Sequence, residues 1–164
     1  MTYFEAKYRI EAEISEKNIE KLLIYSRNDD QIRLYTGDGE RFSSRKKFEK
    51  WRKKGRIIYT LVNQKGNLAG ITWFGVKDGG WTLAIRLYGR ARGKGWSYDF
   101  LKNSIEKLVK TDSYIESSIK TWWLECSEGN ISGRKLYEKL GFVLTEKGKE
   151  EGKIIYRRNH DFEF

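Results

Sequence analysis

Apolar and polar residues alternate from Phe4 to Ala12. Phe4, Ala6, Tyr8, Ile10 and Ala12 fall on one parity, and Glu5, Lys7, Arg9 and Glu11 on the other. That period of two predicts a half-buried strand. The spacing then becomes helical, with Ile19, Leu22 and Leu23 on one stripe and Ser15 placed to start the helix. A second helix opens at Ser43 or Ser44, carries Phe48 and Trp51 as its apolar stripe and stops near Gly55. Three strand-like runs follow, over 57–63, 68–77 and 81–88, separated by Lys65-Gly66-Asn67 and Asp78-Gly79-Gly80. Turn residues between β-branched and aromatic runs predict an antiparallel meander. Next come a helix with apolar positions Phe100, Leu101, Ile105, Leu108 and Val109, a polar connector, a strand over 121–127 and a helix over 131–140. A hairpin of 142–145 with 153–158 closes the chain across the turn at 148–152.

The predicted order is strand, two helices, three strands, helix, strand, helix, two strands. This is an α+β (mixed α/β) layer fold: a central, mostly antiparallel twisted sheet of about seven strands with helices on both faces. The strand–helix–strand unit over 81–127 predicts a right-handed parallel crossover. A ligand cleft is expected at the carboxyl ends of that parallel pair.

Composition narrows the class. The 164 residues contain no proline, linker, repeat or low-complexity tract, which predicts one domain over 1–164. Six Trp, ten Tyr and eight Phe supply a core and argue against disorder. No apolar run approaches the roughly 18 residues of a membrane span, and no apolar leader follows Met1. One cysteine excludes an internal disulfide and, with the missing leader, points to the cytoplasm. The net charge of +10 predicts attraction to anions. Much of it is concentrated over 41–56, in Arg45-Lys46-Lys47 and Arg52-Lys53-Lys54. That run is either a solvated helix face or a patch for a phosphorylated or nucleic-acid-linked partner.

The chemistry is concentrated in two segments. Arg92-Gly93-Lys94-Gly95-Trp96-Ser97 lies between a strand and a helix. Glycines there let main-chain N–H groups approach phosphate oxygens, and the new helix adds the positive end of its dipole. A nucleotide-hydrolysing P-loop is excluded. The spacing from Gly89 to Lys94 is one residue short, and Gly95 replaces the hydroxyl that would hold magnesium. The second segment is Trp123-Leu124-Glu125-Cys126-Ser127-Glu128-Gly129-Asn130, followed by Gly133, Leu136-Tyr137 and Leu140-Gly141-Phe142.

The element order and both segments resemble the GNAT superfamily of acyl-CoA-dependent N-acetyltransferases. The second segment is especially similar to the branch that acetylates protein N-termini, ribosomal proteins included. In the family's loop, Gln/Arg-x-x-Gly-x-Gly/Ala, the marked places fall on Arg92, Gly95 and Ser97; Arg90, Gly93 and Gly95 match in an alternative register. Ser97 departs from the pattern but is small. Cys126 replaces the usual aliphatic residue. The residue-level resemblance covers about 92–142, and the first 56 residues match no motif of the family.

The resemblance implies an acetyl group passing directly from acetyl-CoA to a primary amine. The amine is a protein N-terminus, a lysine, a small amine or an aminoacyl-tRNA, and a basic peptide tail would be repelled by the charge of this chain. It implies pantetheine contacts along Ile85 and Leu87, with a backbone N–H near Leu87 polarising the thioester carbonyl. It implies phosphate contacts from Arg92, Gly93, Lys94, Gly95, Trp96 and Ser97, and further cofactor contacts from Asn130 and Arg134. Glu125 is the candidate general base, its proton affinity raised by a partly aromatic cleft; the competing reading is a strand glutamate paired with a lysine. Tyr137 is the candidate donor to the leaving thiolate; on spacing alone it is a core tyrosine beside Leu136. Asn130 also suits the N-cap of the following helix, and Gly141 its left-handed C-cap. Cys126 reads as core filler and His160 as a surface residue. Asp29, Asp30 and Asp38 fall in predicted loops without a metal-ligand pattern, so no metal is expected. A monomer or homodimer is expected, with no membrane partner. The alternative from another class is a basic, non-enzymatic nucleic-acid-binding module, with Trp51 and Trp73 as exposed stacking residues.

Overall fold

The computed structural model describes residues 6–163. Within them the chain forms β1 (Tyr8–Ala12), α1 (Glu16–Asn28), α2 (Asp30–Tyr35), α3 (Asp38–Arg41), α4 (Arg45–Arg52), β2 (Ile57–Asn63), β3 (Leu68–Lys77) and β4 (Gly80–Leu87). A single 3-10 turn (Gly89–Ala91) leads to α5 (Ser97–Leu108), α6 (Asp112–Ser117), β5 (Trp122–Ser127), α7 (Ile131–Lys139), β6 (Val143–Lys147) and β7 (Lys153–Arg158). The strands form one seven-stranded sheet in the order β1-β2-β3-β4-β5-β7-β6. All neighbours are antiparallel except β4 and β5, which run parallel.

Three sequence expectations change. The first strand begins at Tyr8, not Phe4; Phe4 lies outside the described residues, and Ala6 and Lys7 are helical. Tyr8 pairs with Asn63, the last residue of β2, so the ladder ends there and alternation beyond it has nothing to bind. Four helices, not two, join β1 to β2, because α2 and α3 are too short to display a period of 3.6. Asp29 caps α2 through its carboxylate and accepts from Gln31 N and Ile32 N, while Asp30 and Asp38 lie inside helices and not in loops. The polar connector contains α6, capped by Thr111, whose hydroxyl accepts from Tyr114 N.

Apolar residues cover both faces of the sheet. Leu101, Ile105 and Leu108 of α5, Tyr114 of α6 and Leu136 and Tyr137 of α7 pack on one face against Phe74, Leu83, Trp122 and Leu124. Ile19, Leu22 and Leu23 of α1, Ile32 of α2 and Phe48 and Trp51 of α4 pack on the other, against Ile58, Ile71 and Trp73. Each side chain of that size contributes roughly 1.5–3 kcal/mol when removed from water. The second layer stops at β4, so Glu125, on the same face of β5, is exposed. Among the described residues no helix is long and apolar enough to cross a membrane.

Candidate active site

The site begins where the sheet fails to close. β4 and β5 pair only at Trp81–Trp122 and Thr82–Trp123, and then diverge. Trp81 N donates to Thr121 O, towards β5, whereas Tyr88 N donates to Ala69 O, towards β3. Main-chain groups alternate sides along a strand, so beyond the last paired residues the N–H groups of Ile85 and Leu87 point towards β5, into the opening. The two carbonyls at its mouth are already engaged. Arg86 Nη1 donates to Ile85 O at 3.0 Å, and Arg92 Nη2 to Leu87 O at 2.9 Å. Each oxygen keeps a second lone pair, and the N–H groups remain as donors.

A cavity of about 440 Å³ fills this opening. It brings together Ile85, Leu87, Arg92, Gly93, Gly95, Trp96, Ser97, Glu125, Asn130 and Tyr137 from the sequence candidates, but neither Lys94 nor Arg134. Lys94 is exposed on the loop. Arg134 is committed elsewhere, donating to Tyr156 Oη at 3.1 Å and Glu128 O at 3.0 Å. Arg92 also departs from expectation: its guanidinium pairs with Asp29 at 2.9 Å, so it ties the loop to the α1–α2 corner. Asn130 caps α7, accepting from Gly133 N at 3.1 Å.

The glycine loop has the conformation that its sequence needs. Gly93 and Gly95 have φ of 76° and 74°, a region costly for residues with a Cβ. A Cβ on either would meet no protein atom within 4 Å, so both glycines border open space. The first intrahelical bond of α5 runs from Phe100 N to Trp96 O. The N–H groups of Ser97, Tyr98 and Asp99 therefore precede the helical ladder and form its positive end. Trp96, packed on Tyr8 with ring centroids 4.7 Å apart, anchors the loop. This arrangement fits a pyrophosphate.

Tyr137 is 6% exposed, and its hydroxyl makes no hydrogen bond among the described residues. Burial pushes its pKa up to about 12, while the charge of Arg86 pulls the other way and Cys126 adds slightly to the rise. The phenol is therefore protonated throughout the neutral range. Cys126 also borders the cavity, and burial lifts its thiol to about 11 despite the charges of Arg134 and Lys153. A thiol held protonated is a poor nucleophile.

Glu125 does not occupy the aromatic, desolvated cleft expected of it. It is exposed, and its carboxylate lies across Gly148, where a Cβ would meet Oε2 at 2.7 Å. Trp123 shares its face, but the indole is held away by an Nε1 bond to Lys77 O at 2.8 Å. The carboxylate instead borders the cavity from its solvent side, within reach of water.

The wall contributed by α2, α3 and Arg86 of β4 matches no motif in the sequence. Gln31, Tyr35, Thr36, Arg41 and Arg86 line it. Arg86 donates from Nε and Nη2 to Asp38 at 2.7 and 3.1 Å, and Arg41 Nη1 reaches the same carboxylate at 2.5 Å. Burial works against the charge of Arg86, but Asp38 outweighs it and the balance is upward. One signal was present. Arg86 shares its parity with Ala84 and Tyr88 in a strand whose other parity is apolar, and a charge on an inward face demands a partner. The aromatic residues assigned to nucleic-acid stacking are in the core: Trp51 and Trp73 are 7% and 8% exposed. In the basic helix, Arg45 pairs with Glu16 and Glu49, Lys47 with Glu40 and Arg52 with Glu49.

No family model matches the chain, and no curated protein matches it in sequence. Solved structures do match its shape. The spermidine N-acetyltransferase from Vibrio cholerae, in complex with CoA and spermine, superposes with a TM-score of 0.68 at 15% identity, over 93% of this chain and 94% of that one. A ribosomal-protein-S5-alanine acetyltransferase from Vibrio fischeri gives 0.66 at 15% identity, over 94% and 93%. An acetyltransferase of the GNAT family from Staphylococcus aureus gives 0.65 at 14% identity, over 93% and 98%. The fold is that of the GNAT acetyltransferases.

Proposed function

We propose that the protein is an acetyl-CoA-dependent N-acetyltransferase that moves the acetyl group directly onto a primary amine. The observation that carries this reading is the opening between β4 and β5. It presents inward N–H groups at Ile85 and Leu87, with a glycine loop at one end and a buried, protonated tyrosine beside it.

The N–H groups of the loop and of the first turn of α5 would hold the pyrophosphate. The β4 edge would bond the pantetheine amides, chiefly through its N–H groups. Bound there, acetyl-CoA supplies an activated acyl group. Leu87 N–H or Ile85 N–H would stabilise negative charge gathering on the thioester oxygen, pre-aimed by the strand. An amine with a solution pKa of roughly 8 to 10 must lose a proton before attack. Glu125 would accept it through water, in keeping with its position on the solvent side. Tyr137 would donate to the departing sulfur, and the nearby Arg86 charge would offset the cost of burying a phenolate. Direct attack is favoured over an acetylated enzyme because the available thiol, Cys126, is held protonated.

The test is thiol release from acetyl-CoA across an acceptor panel of N-terminal peptides, polyamines, amino sugars, amino acids and charged tRNA. Turnover with one class supports the reading. Absence of both turnover and acetyl-CoA binding would contradict it.

A further inference from the structure

We propose that the acceptor amine carries an anionic oxygen group, carboxylate or phosphate, a short spacer away from the amine, and that Arg41 and Arg86 bind it. This rests on the acetyl-transfer reading above.

Arg86, on the face of β4 that carries the α1–α4 layer, and Arg41 of α3 border the cavity. Their guanidinium carbons lie 5.7 and 4.8 Å from the centre of the Trp73 ring, so both sit over one indole. They share one counter-ion, Asp38, whose side chain is fully buried. Two positive charges against one negative leave this wall with a net charge of +1, in a pocket where water screens poorly. Arg56, stacked on Trp51 at 4.9 Å, adds to the imbalance, and its own pKa is lowered by burial and by the charge of Arg41.

The donors are also available. Among the described residues Arg41 commits one of its five N–H groups, and its side chain is 36% exposed. Arg86 commits three, two to Asp38 and one to Ile85 O. The unused N–H groups can donate charge-assisted hydrogen bonds to a planar or tetrahedral oxyanion, the geometry for which arginine is suited. Elsewhere in the lining the charges balance, Arg92 against Asp29 and Lys153 against Glu125, so the excess positive charge lies at Arg41 and Arg86. A polycationic acceptor would meet repulsion, and a neutral amine would leave the excess charge uncompensated. Arg86 stands between Ile85 and Leu87 in β4 and is near enough to influence Tyr137, so the anion would sit close to the reacting carbon. That is the reason for a short spacer.

The experiment pairs amines that differ only in the anion: L-alanine with L-alaninamide, and phosphoethanolamine with ethanolamine. Two readouts are taken. Direct binding to the CoA-saturated protein is followed by calorimetry, and kcat/KM by thiol release. The expected result is a preference of about ten-fold or more for the anionic member of one pair, and the pair showing it identifies the group. Arg41→Gln should collapse that ratio towards one while CoA affinity stays near wild type, and Arg41→Lys should restore part of it. Thermal unfolding of each variant confirms that it is folded, and Arg41→Lys serves if Arg41→Gln is not. Equal binding of both members of both pairs by the wild type would overturn the proposal. So would an undiminished preference in a folded Arg41→Gln. If acetyl-CoA is not turned over, the binding arm still decides this question, so failure of the transfer reading is seen separately.

Discussion

Replacing Tyr137 by Phe removes one oxygen and tests the proton-donor assignment. The ring is packed with centroids 6.5 Å from Phe142 and 6.2 Å from Tyr156, and Phe reproduces those contacts. Among the described residues the hydroxyl has no hydrogen bond to lose, so stability at pH 7 should change by no more than about 0.5 kcal/mol. Its ionisation gives a second signature. Burial holds the pKa at about 12, against roughly 10 in the unfolded chain. The raised value means that its contribution is fully present below pH 10 and is lost as the pH climbs through 12. Two units correspond to about 2.7 kcal/mol, half of it gone at about pH 11. Tyr137→Phe lacks this loss, so at pH 11 it should exceed the wild type by about 1.4 kcal/mol. If the hydroxyl donates to the leaving sulfur, kcat should fall about 10²-fold, with acetyl-CoA affinity within about three-fold of wild type. No limb of the pH–rate profile below about pH 10 should belong to this residue. Chemical unfolding at both pH values and thiol-release kinetics on one sample measure all of this. A kcat within about three-fold of wild type, with the alkaline stability gain present, would show a core tyrosine and a misassigned donor.

Glu125→Gln should lower kcat mostly at lower pH, where fewer amines are already neutral, and should leave the melting temperature unchanged because the residue is exposed; a uniform loss across pH would argue against a base. Tyr88 is 1% exposed, its hydroxyl has no partner among the described residues, and burial raises its pKa well above 10. Tyr88→Phe should therefore stabilise the protein by about 1 kcal/mol in denaturant titrations, and destabilisation would reveal a partner for that oxygen. Reversing the exposed Lys46 and Lys53 to Glu should reduce salt-dependent RNA binding and leave acceptor kcat/KM within about two-fold. A raised KM would move the acceptor onto the helix face.

The sequence was most legible where a period could run its course. The helices carrying Leu22 and Leu23, and Leu101 and Ile105, and the meander of β2 to β4, lie close to where alternation and turn residues set them. α2 and α6, with one buried side chain each, Ile32 and Tyr114, leave no stripe to read. α6 also ends on Ser118 at φ 57°, without the glycine that announces a helix end. In the candidate site, the positive φ of Gly93 and Gly95 was legible because a glycine-rich turn between strand and helix calls for it, whereas Tyr137 was singled out by the family pattern alone. The Arg41–Asp38–Arg86 wall was not, since it joins residues 48 positions apart through tertiary contact alone. Glu125 was legible as a strand residue, but its exposure depends on how far the α1–α4 layer extends, which periodicity does not report.

On the proposed function, the opening between β4 and β5 takes acetyl-CoA, with its pyrophosphate against the glycine loop. The direct measurement is calorimetric titration of acetyl-CoA into wild type and Gly95→Asn at two salt concentrations. Asn tolerates the left-handed backbone of Gly95, so the fold should persist while its side chain enters the open space above the loop. One saturable site is expected in the wild type, weaker at higher salt, and at least about ten-fold weaker binding in the variant. No binding by the wild type, or equal affinity in the two proteins, would contradict it.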